Sequence, residues 1–242
     1  MFDHDSGDDD GVNVLIDFTQ KVNLVRMVGN SVVPARLTIK AEVLPSNEAQ
    51  EIDFDIAFAK IKFWFETIVS RTIVFCRGNT LALDMFTDSD GKARVINHLM
   101  ISPSEPTDEH LGAIFQAKMA ALSNGMMNFG VVRVNSEAQS GLVWSYVGQW
   151  QNDLPDMENW FNKKPYFFDK PWWDRNDIST IDMIPKDAKD FATSPPWAFG
   201  LDFIEQAIRP SEQHSDDEPE PLENVVIRGA FRPKVIDGGS DE

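Results

Sequence analysis

Cysteine is nearly absent from this chain of 242 residues: Cys76 is the only one, so an internal disulfide and any cysteine-based zinc cluster are excluded. Histidine is also scarce. His4 and His214 lie in polar end segments, His98 in an apolar stretch and His110 at a helix start, a scatter that suits ordinary surface or structural roles better than a catalytic or zinc-binding pair. Cations are outnumbered, with 22 Lys and Arg against 39 Asp and Glu for a formal charge of −17. A bare nucleic-acid backbone is therefore not an expected partner, since its binders cluster Lys and Arg. No apolar run approaches the roughly 18 to 20 residues that would span a bilayer. The first ten residues, five of them aspartate, lack the basic start and apolar core of a signal peptide. A soluble, cytoplasmic protein with no membrane association is the expectation.

What the chain does have is a periodic middle and irregular ends. Residues 1–11 read as a disordered acidic arm. Val12, Val14, Ile16 and Phe18 alternate with polar residues, as do Leu37, Ile39, Ala41 and Val43, so two half-buried strands are expected on either side of a turn at Gly29-Asn30. From Asp55 the spacing becomes helical: Phe58, Ile61, Phe65 and Ile68, with Trp64 alongside, form a broad apolar face. Thr72–Phe75, Thr80–Phe86 and Ala93–Ile101 read as strands, the last two joined as a hairpin through Asp88-Ser89-Asp90-Gly91. A second helix starts at Thr107, a suitable cap, with Asp108 and Glu109 against the positive end of its dipole. Leu111, Ile114, Phe115, Met119 and Leu122 are its buried stripe, and Asn124-Gly125 ends it. Val131–Val134 and Leu142–Val147 close the domain as strands, giving an α+β unit over 12–149 with an antiparallel sheet and two helices on one face.

The remainder divides by composition. Residues 150–210 carry Trp150, Trp160, Trp172, Trp173 and Trp197 among scattered prolines, an extension expected to wrap onto an apolar surface with little regular structure beyond a short helix at 199–208. Residues 211–242 are an acidic tail whose stretch Val225–Val235 is locally basic and apolar. An acidic tether presenting Ile227, Arg228, Phe231 and Arg232 has the build of a docking peptide.

Some side chains have alternative readings. Cys76 in an apolar strand is expected to be an inert buried thiol. Asp88–Gly91 resembles the start of a calcium loop, but Leu99 occupies the twelfth position, where the bidentate glutamate belongs, so a turn is the better reading. Glu109 reads plainly as a helix-start residue and Glu137 as a turn residue.

The order strand, strand, helix, helix, strand, strand resembles the tunnelling fold of the 6-pyruvoyltetrahydropterin synthases and their deazapurine-pathway relatives. Asp55-Ile56-Ala57-Phe58-Ala59-Lys60 has the spacing of the family's Asp-x4-Lys at its first helix, and Pro106-Thr107-Asp108-Glu109-His110-Leu111-Gly112 follows the Pro-Thr-x-Glu-x-Leu-Ala start of its second. Glu137 matches, one position displaced, the glutamate that anchors the family's heterocycle, and the resemblance implies that Glu109 and Glu137 would hold a guanidine-like edge of a purine or pterin by paired hydrogen bonds. The resemblance covers roughly residues 12–147. It also implies departures. The family's zinc histidines would fall in Phe18–Leu24 and Val33–Leu37, and its Asp-His pair near Ser70-Arg71-Thr72, and none of these segments contains a histidine. A chain of this kind would hold no metal or cofactor.

Three functions follow as expectations. The first is a non-catalytic, zinc-free homo-oligomeric scaffold or protein-binding module, its partner recruited through the acidic surface and the terminal island and itself basic. The second is a pterin- or purine-type binding protein or enzyme anchored by Glu137. The third is an acidic decoy that occupies the groove of a nucleic-acid-binding protein.

Overall fold

The computed structural model describes residues 16–46, 49–87, 98–137, 143–147, 154–160, 168–182 and 200–209. The chain divides into two units, Met1–Arg209 and Pro210–Glu242, and every described residue belongs to the first. The proposed terminal motif Ile227, Arg228, Phe231 and Arg232 lies outside the described residues, as does the Asp88–Gly91 turn. Among the described residues no helix is long and apolar enough to cross a membrane.

β1 (Ile16–Val28) and β2 (Ser31–Pro45) form a long antiparallel hairpin closed at Val28↔Ser31. Gly29, with φ 55°, supplies the left-handed turn that a side chain would resist. Alternation does the rest. Phe18, Val22 and Leu24 of β1 and Ala35, Leu37, Ile39, Ala41 and Val43 of β2 face the core, while Lys21, Asn23, Arg36 and Lys40 face outward.

α1 (Glu51–Phe63) runs directly into a π-helical turn, Trp64–Val69, that buries Trp64, Phe65 and Val69 against the sheet. β3 (Ile73–Cys76) then pairs parallel to β1. α2 (Thr80–Phe86) crosses to β4 (Leu99–Ser102), which is parallel to β3. α3 (Asp108–Ser123), β5 (Met127–Ser136) and β6 (Val143–Val147) follow, β5 antiparallel to β2 and β6 antiparallel to β5. The six strands stand in the order β4-β3-β1-β2-β5-β6. α4 (Met157–Trp160) and α5 (Asp202–Ile208) complete the elements.

Two expectations are corrected here. The sheet is mixed, because β3 and β4 join the β1 edge in parallel. Thr80–Phe86, expected as a strand, is helical: the Asn79 side chain caps it by accepting from Ala82 N at 3.0 Å. The alternation of Leu81, Leu83 and Met85 does not mark a sheet face: Leu81 and Met85 lie on the exposed side of the short helix, while Leu83 packs against the core and Ala82 is buried. β4 has every side chain buried, and Leu99, Met100 and Ile101 make the continuous apolar run expected of a strand covered on both faces.

α3 is the centre of the core. The Thr107 side chain caps it by accepting from His110 N at 3.2 Å, and Asn124 ends it in the left-handed region at φ 50°. Every residue from Leu111 to Met119 is buried, which one sheet face alone cannot achieve. The second cover is the tryptophan-rich segment. Trp172 and Trp173 have no exposed surface. Each buries about 150–250 Å², roughly 4–6 kcal/mol as an upper bound.

Lys118 of α3 fixes this cover. Its ammonium, fully buried, donates to Trp172 O at 2.8 Å and Arg175 O at 2.9 Å and lies 3.5 Å from Asp177. Arg175 in turn spans Asp177 at 3.0 Å and Asp182 at 2.5 Å. Asp182 also accepts from the Trp160 indole at 2.8 Å and from Trp172 N at 3.0 Å. The same segment closes the sheet edge: Ile101 N donates to Thr180 O at 3.1 Å, and the Trp172 indole donates to Ile101 O at 2.9 Å. β4 therefore has no free edge around Ile101.

Candidate functional site

The helix-free face of the hairpin carries the candidate site. Asn23 and Arg36 are register partners across β1 and β2, so their side chains stand side by side on that face. Arg36 Nε donates to Asn23 Oδ1 at 3.2 Å, and Arg36 Nη1 reaches Glu137 at 3.4 Å. Glu137, just past the end of β5, is thereby tied to the neighbouring strand. Arg71 enters from the turn between the π-helical segment and β3. These four residues line an open cleft of about 530 Å³ whose walls include Val25, Pro34 and the backbone around Leu24 and Ala35.

Arg71 is held there by an unusual backbone. Its φ is 71°, the left-handed region that a long side chain seldom occupies. The π-helical turn explains how it arises: Ser70 N donates to Phe65 O at 3.0 Å, Thr72 Oγ1 to Ile68 O at 2.6 Å and Arg71 N to Asn23 O at 2.6 Å. A strained residue that puts an exposed guanidinium at the mouth of a cleft is a reasonable place to look for function. Chemically, the cleft offers two guanidiniums for an anion and one carboxylate for an N–H edge.

Glu109 and Glu137 are placed differently, though their neighbours are bonded to each other. Asp108, beside Glu109, is buried, pairs with the Arg26 guanidinium, and accepts from Ser136 N, beside Glu137, at 3.2 Å. The start of α3 and the end of β5 are thus bonded together. Glu109 itself is exposed in the first turn of α3 and does not line the cleft; Glu137 does. The matched pair Asp55 and Lys60 divides similarly, Asp55 being exposed and Lys60 lying 3.4 Å from Glu205 of α5.

Reasoning from sequence missed Arg36, Arg71, the Arg26–Asp108 pair and the Lys118 network. Signals existed for two of them. Arg26 continues the inward alternation of Val22 and Leu24, and Lys118 falls on the apolar stripe, seven residues after Leu111 and four before Leu122. Cys76 is buried, its pKa pushed up by burial and by its hydrogen bond to Glu105 at 3.4 Å, so the thiolate is disfavoured. Burial pushes His110 down. Among the described residues no group of three or more His, Cys, Asp or Glu is placed to hold a metal ion.

No protein-family model matches the chain. No curated protein matches it either. Solved structures similar to it include a catalytic-residue mutant of Plasmodium vivax 6-pyruvoyltetrahydropterin synthase, at 9% identity over 55% of this chain and 96% of that one, with a TM-score of 0.33. The Plasmodium falciparum 6-pyruvoyl tetrahydropterin synthase is similar at 8% identity over 55% of this chain and 96% of that one, with a TM-score of 0.33. A second Plasmodium vivax structure gives 9% identity over 55% of this chain and 98% of that one, with a TM-score of 0.32. Likeness at this level carries no residue roles across.

Proposed function

We propose that this chain is a non-catalytic, zinc-free protein of the tunnelling-fold kind that works by binding, and that the cleft at Asn23, Arg36, Arg71 and Glu137 holds a small polar molecule. The observation that carries the proposal is the lining itself: a carboxylate fixed by Arg36 beside a second guanidinium held in place by a strained backbone. Such a cleft suits a ligand with an anionic group for Arg71 and an amidine-like N–H edge for Glu137. The flat heterocycles named by the sequence resemblance have that edge, and a carboxylated pterin has both features.

Calorimetry of the full chain with 6-carboxypterin tests this. Glu137→Gln and Arg71→Ala should each weaken binding by about tenfold or more, the worth of one charge-assisted hydrogen bond. Absence of binding to the wild-type chain, or wild-type affinity in both variants, overturns the proposal. A protein-binding role for residues 211–242 is a separate proposal, supported by the basic island on its acidic tether. Deleting that segment should abolish capture of the partner while leaving 6-carboxypterin binding unchanged.

A further inference from the structure

The rows of the sheet next to the cleft have a composition at odds with the rest of the chain. Register places Lys21, Thr38 and Asn135 in one row across β1, β2 and β5, and Thr19, Lys40 and Arg133 in the next. The six residues line a second hollow of about 510 Å³. All of them offer hydrogen-bond donors and none is acidic, in a chain of formal charge −17. Lys40 stands directly opposite Arg133, and like charges in that position cost stability unless something answers them. Glu42 answers Arg133 at 3.2 Å. Neither Lys21 nor Lys40 has an ion-pair partner among the described residues.

We propose that this hollow is a binding site for a diphosphate-type anion. Rows on one sheet face lie about 7 Å apart and neighbouring strands about 4.8 Å apart. Lys40 and Arg133 therefore flank one end of an anion, and Lys21, diagonal to Lys40, meets the other. Two linked phosphoryl groups span that spacing and meet all three charges at once. The Thr19 and Thr38 hydroxyls and the Asn135 amide supply neutral donors between the charged groups. Among the described residues no aromatic ring lines the hollow, and its donors suit the phosphates and not an attached base. The site is distinct from the cleft at Glu137, and the two can fail independently.

The test is isothermal titration calorimetry of the full chain at low ionic strength with sodium pyrophosphate and, separately, ADP. One site is expected, with the two ligands bound about equally. The double variant Lys21→Gln/Lys40→Gln, which changes two exposed side chains, should lose about tenfold or more in affinity, since each charge-assisted bond contributes about that much. Lys62→Gln on α1, where Lys62 sits 4.0 Å from Glu66, changes charge elsewhere and should leave affinity unaltered. The proposal is overturned if the wild-type chain gives no binding, if Lys62→Gln weakens it as much as the double variant, or if ADP binds and pyrophosphate does not.

Discussion

Two groups of charged side chains, one buried and one open to solvent, are built on opposite principles. Lys118, Arg175, Asp177 and Asp182 lie under tryptophans, and each of their charges meets carbonyl, carboxylate, hydroxyl or indole partners. Asn23, Arg36, Arg71 and Glu137 stand in the open, and the one ion pair there has side chains 59% and 66% exposed. A buried charge must be fully partnered because desolvation costs several kcal/mol per ion. An exposed one can leave bonding capacity for a ligand because water fills it in the meantime. Fully partnered charges hold the molecule together, and the partly used set is where binding is to be sought.

The comparison breaks most visibly at Asp182. Replacing it with alanine removes one of the two carboxylates that pair with buried Arg175 and leaves the Trp160 indole and Trp172 N without their acceptor. Urea unfolding should show a loss of about 3–5 kcal/mol, and a loss below about 1 kcal/mol would mean that the buried set is not structural.

Lys118 sharpens the contrast through pH. Burial draws its pKa from 10.5 down to about 8, with Asp177 opposing the fall. The folded value is below the unfolded one, so between about pH 8 and 10.5 the unfolded chain carries more of this proton and stability rises with pH, by up to about 3 kcal/mol. Cys76 works the other way. Its raised pKa keeps the folded thiol protonated while the unfolded one ionises, so its contribution falls as pH climbs past the unfolded value of 9.0. Comparing wild type with Lys118→Met at pH 7.5 and 9.5 cancels the cysteine term. The wild type should gain on the variant at the higher pH, and a constant gap would contradict the assignment.

The smallest effect belongs to the open set. Arg36→Ala should change unfolding free energy by no more than about 1 kcal/mol, as for other exposed pairs. The same variant should weaken 6-carboxypterin binding, by calorimetry, far more than it weakens folding.

What the sequence made legible followed periodicity. The hairpin around Gly29-Asn30, the helices at α1 and α3, the cap at Thr107 and the stop at Asn124 were all written in spacing and turn chemistry. β3 and the end of β4 were legible as short apolar runs, but not their parallel pairing, and α2 reads falsely as a strand: its seven residues are too few for a helical period to outweigh a chance alternation at Leu81, Leu83 and Met85. Glu137 was singled out by the family resemblance, which implies an anchoring glutamate near the end of β5. Arg36 and Arg71 were not, since register brings one to it and a π-helical turn delivers the other. Lys118 stood on an apolar stripe, and its partners arrive from more than fifty residues away.

The cover over β4 also imposes an order on synthesis. Thr180 Oγ1 donates to Leu99 O across 81 residues of chain. At a synthesis rate of about 5–20 residues per second, β4 leaves the ribosome roughly 4–16 s before the segment that seals it. During that interval the nascent chain exposes the apolar run Leu99–Ile101 with one bare edge, the form most ready to pair with a neighbour. Slow decoding or a premature stop between Ser102 and Thr180 would lengthen that interval or make it permanent, so truncated products are expected to accumulate as insoluble material while the finished protein does not.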